Sequence, residues 1–235
     1  MGKRIARLVV QDNELSLVLG LEATGHPDTG TDLGRILDLP DISCKITDNP
    51  KDIKKTDALI DFSAPEATVE HVLACAEFGV PVVIGTTGLS DEQISELKKA
   101  SKRTALLFSP NMSVGVNLLF HITGLMAERL GPDYEAKIHE VHHVHKKDAP
   151  SGTAKKFAEV IEKVKGKKIQ VTSERTGEVT GDHTITFEGN EERIEILHSA
   201  LSRDLFAKGA IKAAKWIMGK PAGFYSMEDV LGLKK

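Results

Sequence analysis

Residues 139–154 read HEVHHVHKKDAPSGTA. This run sets His142, His143, His145, Lys146, Lys147 and Asp148 directly ahead of Pro150 and a Ser151-Gly152-Thr153 triplet. Histidine is the side chain whose charge changes nearest neutral pH. A lysine beside other cations can have its pKa lowered and become a usable proton donor. Ser151-Gly152-Thr153 has the form of a helix start, where free backbone N–H groups and a positive dipole end make an anion seat. The combination implies a pocket for a small anion with a proton donor at its rim. A strand end, a polar turn and a helix start account for Asp148, Pro150 and Ser151 alone. They do not account for so many titratable groups in so short a run.

The elements that must position these groups follow from periodicity. Residues 136–142 alternate as a strand, with Ile138, Glu140 and His142 facing one way and His139, Val141 and His143 the other. A helix is expected over 153–164, then strands over 168–172, 182–188 and 193–198 with no helices between them, hence a mixed or antiparallel sheet. Upstream the rhythm differs. Apolar strands at 57–62, 81–84 and 105–108 alternate with helices at 65–78 and 91–102, the second opened by a Ser90/Gln93 capping box. That alternation predicts a doubly wound parallel sheet in an α/β fold. Ligands bind at the carboxyl ends of such strands, where Gly85-Thr86-Thr87-Gly88 and Ser109-Pro110-Asn111-Met112 stand.

The first residues carry weaker signals. Residues 2–11 read as a helix without a cap residue, and Lys3 and Arg4 oppose the dipole in its first turn. Either these charges are solvated at a frayed end, or an anion belongs there, as pyrophosphate does in a dinucleotide fold. Residues 15–21 read as a strand ending at Glu22, and residues 25–36 as a loop. An acid in the position of Glu22 bonds ribose hydroxyls in a dinucleotide fold, although a lone glutamate after a strand is more often a solvated turn. Helices are expected at 114–130, 205–218 and 227–231. The expected domains are 1–112 with 203–235, and 113–202.

The 235 residues are 40% hydrophobic with net charge −3, which suits a globular core and gives no basic surface for nucleic acid or an anionic membrane. Cys44 and Cys75 form no disulfide framework, so a reducing, cytoplasmic setting is expected. Neither a membrane span nor a leader is expected.

Five motifs in order carry a resemblance: GTTG at 85–88, PNMSVGVN at 110–117, HHVHKKDAPSGTA at 142–154, GDHTITF at 181–187 and SRDLFAKGA at 202–210. Together they resemble 4-hydroxy-tetrahydrodipicolinate reductase, the NAD(P)H enzyme of diaminopimelate and lysine biosynthesis. The resemblance implies a Rossmann-like domain with an inserted α+β substrate domain, a homotetramer, NADH or NADPH as cofactor and a small dicarboxylate as substrate. It implies that Glu22, Gly85, Thr86, Thr87, Ser109, Pro110, Asn111 and Met112 line the cofactor. It implies that His142 and Lys146 carry the acid chemistry, and that His143, Gly152 and Thr153 hold substrate carboxylates. Val144 stands where the family usually has arginine. Ala23 stands where many members carry an arginine for the 2′-phosphate, which leans towards NADH.

The family pattern opens with a strand and a GxxGRMG loop that cradles pyrophosphate. Met1-Gly2 matches only the end of that loop, so weak cofactor binding is expected. Two accounts fit: a start assigned at the loop's internal methionine, which we prefer, or a shortened chain with an open slot in its sheet.

Three rivals are weighed beside the reductase. A metal hydrolase would use His142, His143 and His145, but neighbours on a strand point to opposite faces, so the expectation is no metal. A non-catalytic dicarboxylate-binding relic would have lost its cofactor loop. Another two-domain dehydrogenase would act on an amino acid.

Overall fold

The structure is a computed structural model and describes residues 1–234. In chain order its elements are α1 (Gly2–Val10), β1 (Gly20–Leu21), α2 (Leu33–Ile36), β2 (Ile46–Thr47), a 3-10 turn (Pro50–Lys55), β3 (Leu59–Asp61), α3 (Pro65–Phe78), β4 (Val82–Ile84), α4 (Asp91–Ala100) and β5 (Ala105–Phe108). Then follow α5 (Val114–Leu130), β6 (Glu135–His142), α6 (Gly152–Lys165), β7 (Gln170–Arg175), β8 (Asp182–Glu188), β9 (Arg193–Ser199), α7 (Asp204–Ile217), β10 (Gly223–Tyr225) and α8 (Met227–Val230). The chain divides into two compact units, Met1–Met112 with Phe206–Lys235, and Ser113–Leu205.

The first unit is built on a parallel sheet of order β10-β5-β4-β3. Val82, Val83, Ile84, Leu106 and Leu107 are fully buried in it, as expected of strands covered on both faces. Helix α3 begins at Pro65 and ends on Gly79, whose φ of 71° closes the helix in the left-handed region. Ser90 and Gln93 form the capping box that opens α4. The apolar side of α7 buries Ala207, Ala210, Ala213, Ala214 and Ile217.

Two expectations here need correction. Of the strand expected over 15–21, only Gly20–Leu21 pairs, with β2, in a separate two-stranded parallel sheet. A strand exists through its ladder. Leu15, Ser16, Leu17, Val18 and Leu19 instead run along a cavity of about 990 Å³, with no β partner among the described residues. The loop expected over 25–36 ends in the short helix α2, which Asp32 caps by accepting from Gly34 N–H. The strands β2 and β10, too short for a period to register, were not anticipated.

The second unit is a mixed sheet of order β7-β6-β8-β9, in which β6 pairs parallel with β7 and antiparallel with β8. One face packs on α5 and α6 through Ile138, Ile185, Phe187, Phe120, Phe157 and Ile161. The other face carries the cross-strand row His139, Thr184 and Leu197, where Leu197 is 63% exposed.

Candidate active site

In the second unit the period-two pattern of β6 sends Ala136, Ile138, Glu140 and His142 inward. The first two join the apolar core, while Glu140 and His142 make a buried polar pair at its end. Glu140 Oε2 meets His142 Nδ1. Arg175 Nη2 donates to Glu140 Oε1 at 2.9 Å, and Ser151 N–H donates to the same oxygen at 3.3 Å. Buried His183 lies edge-on to His142, with ring centroids 5.2 Å apart, and its Nε2 is 3.1 Å from Ser151 Oγ. Gly181 makes this packing possible, because a Cβ there would stand 2.8 Å from His142 Nε2.

The electrostatics follow from burial and neighbours. Burial works against ionisation of Glu140, but hydrogen bonds from Ser173 and Arg175 and the nearby cationic groups outweigh it and hold the carboxyl below its ordinary value. Burial, helped by Lys146 and Arg175, keeps His142 below the usual imidazole value even though Glu140 pulls the other way. Burial brings His183 down to about 4. Both rings are therefore neutral at pH 7.

The polar turn after β6 leads into α6. Ser151 caps the helix by accepting from Ala154 N–H at 3.2 Å, and Gly152 and Thr153 form its first turn. Lys146 Nζ lies 2.8 Å from Asp148 Oδ1. Burial works against ionisation of Asp148, but the Lys146 ammonium and, more weakly, the nearby backbone N–H groups outweigh it and hold the carboxyl below its ordinary value. The half-exposed carboxylate of Asp148 thus lies on the Lys146 ammonium just ahead of the start of α6, and an ammonium beside a helix N-terminus is a donor set that suits an anionic ligand. His143 stands beside Arg203, with Nε2 3.4 Å from Nη2. His145 is exposed, 3.8 Å from exposed Glu178.

In the first unit, Glu22 follows β1 and shares the 990 Å³ cavity with the first turn of α1, Phe62 and Ser63. No side chain caps α1. An uncapped helix start, an acid at a strand end and hydroxyl-bearing Ser63 on a cavity of this size suit a nucleotide. Gly85, Thr86 and Thr87 leave the end of β4, and Ser109, Pro110, Asn111 and Met112 leave the end of β5; neither group lines that cavity. Gly85 has the ring of Phe62 across it, where a Cβ would meet Cζ at 2.2 Å. Thr86 is buried, and its hydroxyl bonds Asp61 Oδ1 at 3.1 Å and Thr68 Oγ1 at 2.8 Å. The Met112 side chain is buried as well, and its carbonyl abuts Gly209, where a Cβ would stand 1.8 Å away.

Sequence reasoning passed over Glu140, Arg175, His183 and Arg203. Glu140 had a usable signal: a carboxylate on the inward face of a strand, two residues before a histidine on that face. His183 and Arg203 lie in the GDHTITF and SRDLFAKGA motifs, which could have flagged them, while Arg175 reaches the site only through strand pairing, which leaves no local pattern.

A parallel sheet with polar loops at its carboxyl ends, and a separate acid–base and anion site, define a nucleotide-dependent oxidoreductase of two units. Comparison with known proteins narrows the class. Residues 1–112 match the family model for the dihydrodipicolinate reductase N-terminus, and residues 115–231 that for its C-terminus. The chain belongs to the dihydrodipicolinate reductase family. It is 41% identical to the 4-hydroxy-tetrahydrodipicolinate reductase of Chromohalobacter salexigens, across 100% of this chain and 95% of that one. It is 44% identical to the reductase of the same name from Aquifex aeolicus, across 99% and 95%. Its fold matches the dipicolinate-bound dihydrodipicolinate reductase of Paenisporosarcina sp. TG-14 with a TM-score of 0.80 at 24% identity, covering 96% and 92% of the two chains.

Proposed function

We infer that this protein reduces 4-hydroxy-tetrahydrodipicolinate to tetrahydrodipicolinate with NADH or NADPH, in diaminopimelate and lysine biosynthesis. Membership of the reductase family along both halves of the chain supports the reaction. The observation that carries the residue roles is the Lys146–Asp148 ion pair directly ahead of the N-terminus of α6 at Gly152.

The substrate is a cyclic dicarboxylate that loses water and gains a hydride on one carbon and a proton on its neighbour. A bound nicotinamide nucleotide supplies the hydride. Lys146 gives the proton to the adjacent carbon as general acid, with His142 beside it in the same proton-handling group. One substrate carboxylate takes the place of Asp148 at the start of α6, held by the N–H groups of Gly152 and Thr153, with His143 as a further donor. Glu22 engages the adenosine ribose. The Gly85, Thr86 and Thr87 loop and the Ser109, Pro110, Asn111 and Met112 loop flank the nucleotide at the strand ends. Ala23, which offers no cation beside Glu22, favours NADH.

The protein assembles as a homotetramer, for which the open face of the second sheet, with Leu197 63% exposed, is the available surface. It works in the reducing cytoplasm, in keeping with two buried free thiols, Cys44 and Cys75.

Lys146→Ala tests the assignment. Turnover should fall on the order of 10²-fold or more, with nucleotide affinity retained. Loss of NADH binding with turnover per bound complex preserved would contradict it.

A further inference from the structure

Glu140 touches none of the groups assigned to substrate, yet it is completely buried, and its two oxygens face different partners. Oε1 accepts from Arg175 Nη2 at 2.9 Å and from Ser151 N–H at 3.3 Å. Oε2 meets His142 Nδ1, which has no other partner among the described residues. Arg175 is itself tied to the turn, donating to the Asp148 carbonyl at 2.5 Å. One carboxylate therefore joins β6, β7, the turn after β6 and the N-cap of α6.

We propose that Glu140 is a positioning residue that fixes the tautomer of His142 and yokes it to the start of α6. An ionised carboxylate only accepts hydrogen bonds, so His142 Nδ1 must carry the hydrogen. That leaves Nε2, beside Gly181, as the ring nitrogen open to a partner. The Ser151 N–H on the same carboxylate keeps the proton-handling ring in register with the helix start that seats the anion. This last link rests on the function proposed above; the tautomer does not.

The ligand atoms of Glu140, His142 and His183 lie within 4.8 Å of one another, a spacing that could hold a metal ion. A cation there would compete with the Arg175 guanidinium already bound to Glu140. The positioning role accounts for Arg175 and Ser151, and a metal site does not.

The isosteric variant Glu140→Gln gives a sharp test. Arg175 and Ser151 N–H are both donors aimed at Oε1, so the glutamine oxygen must take that place. Its NH₂ then faces His142 Nδ1, which becomes an acceptor, and the hydrogen moves to Nε2. Ser173, paired with Glu140 across β6 and β7 and a further group that holds its carboxyl down, is a hydroxyl that accepts as readily as it donates. The other groups facing the ring, the charged Lys146 and Arg175 and the neutral His183, are unchanged in this variant.

The experiment is ¹⁵N NMR of the imidazole nitrogens in the full chain, with His142 assigned by its loss in His142→Gln. Wild type should have Nδ1 protonated at pH 7.5, and Glu140→Gln should have Nε2 protonated. Turnover of Glu140→Gln should fall on the order of 10²-fold, while pyridine-2,6-dicarboxylate binds no more weakly than to wild type. Wild-type protein with Nε2 protonated would overturn the proposal without recourse to any variant, as would zinc retained at this cluster after purification. A folded Glu140→Gln with an unchanged tautomer would also overturn it. Wild-type protein without reductase activity would sink the functional reading alone, and the ring-nitrogen assignment would still decide this one.

Discussion

The ammonium of Lys146 rests 2.8 Å from the carboxylate of Asp148, four residues ahead of Gly152 at the start of α6. The chain's own acid thus occupies the cation at the rim of the proposed dicarboxylate seat, and an anionic ligand competes with it. Asp148→Asn removes the charge and weakens the contact with Lys146. The variant should bind pyridine-2,6-dicarboxylate roughly 2- to 5-fold more tightly at low salt, the range expected of a half-exposed ion pair. Weaker binding by calorimetry would mean instead that Asp148 holds the donors in place for the ligand.

His183 makes stability depend on pH. Its folded pKa is about 4, lowered first by burial and then by the neighbouring His142, against about 6.5 in an unfolded chain. Between these values the unfolded state binds the proton and the folded state does not. The stabilisation is therefore present above about pH 6.5 and is lost as pH falls towards 4, by roughly 2 to 3 kcal/mol. His142 and His198 are shifted the same way by burial and add to the slope. Urea unfolding at pH 7, 5.5 and 4.5 should show the decline, and His183→Gln should flatten it. An identical slope in the two proteins would contradict this assignment.

Asp61 is the corresponding hub of the first unit. Its Oδ1 accepts from Ser63 N–H at 2.9 Å, Thr68 Oγ1 at 3.1 Å and Thr86 Oγ1 at 3.1 Å, and His71 Nδ1 lies 2.7 Å from Oδ2. Burial opposes its ionisation, but the bonds from His71 and Ser63 outweigh this and hold its pKa below the ordinary value. Asp61→Ala leaves these donors unpaired in the interior and should cost about 3–5 kcal/mol in urea unfolding. It should also loosen the Thr86 loop, read as faster amide exchange at Thr86 and Thr87. A loss below about 1 kcal/mol would mean that the network is not a structural hub.

How far the sequence could be read depended on the range of each interaction. The inward alternation of β6, the Ser151 cap of α6 and the Ser90/Gln93 box are local, and periodicity and cap chemistry exposed them. The alternation of strands and helices was enough to define the parallel sheet. Residues 15–19 misled because an apolar run reads the same whether or not a neighbour supplies a ladder. Strands β2 and β10 are only two and three residues long, too short for a period to register. The two carboxylate hubs escaped for another reason. Asp61 and Glu140 look like ordinary strand residues until the fold brings His71 and Thr86, or Arg175 and Ser151, onto them.

The central claim is that the turn after β6 and the first turn of α6 form a dicarboxylate seat with Lys146 at its rim. The most direct measurement is calorimetric titration of the full chain with pyridine-2,6-dicarboxylate, beside Lys146→Ala. The account predicts saturable one-site binding to wild type, at least several-fold weaker in the variant. No binding to the folded wild-type chain, or equal binding by both proteins, would contradict it.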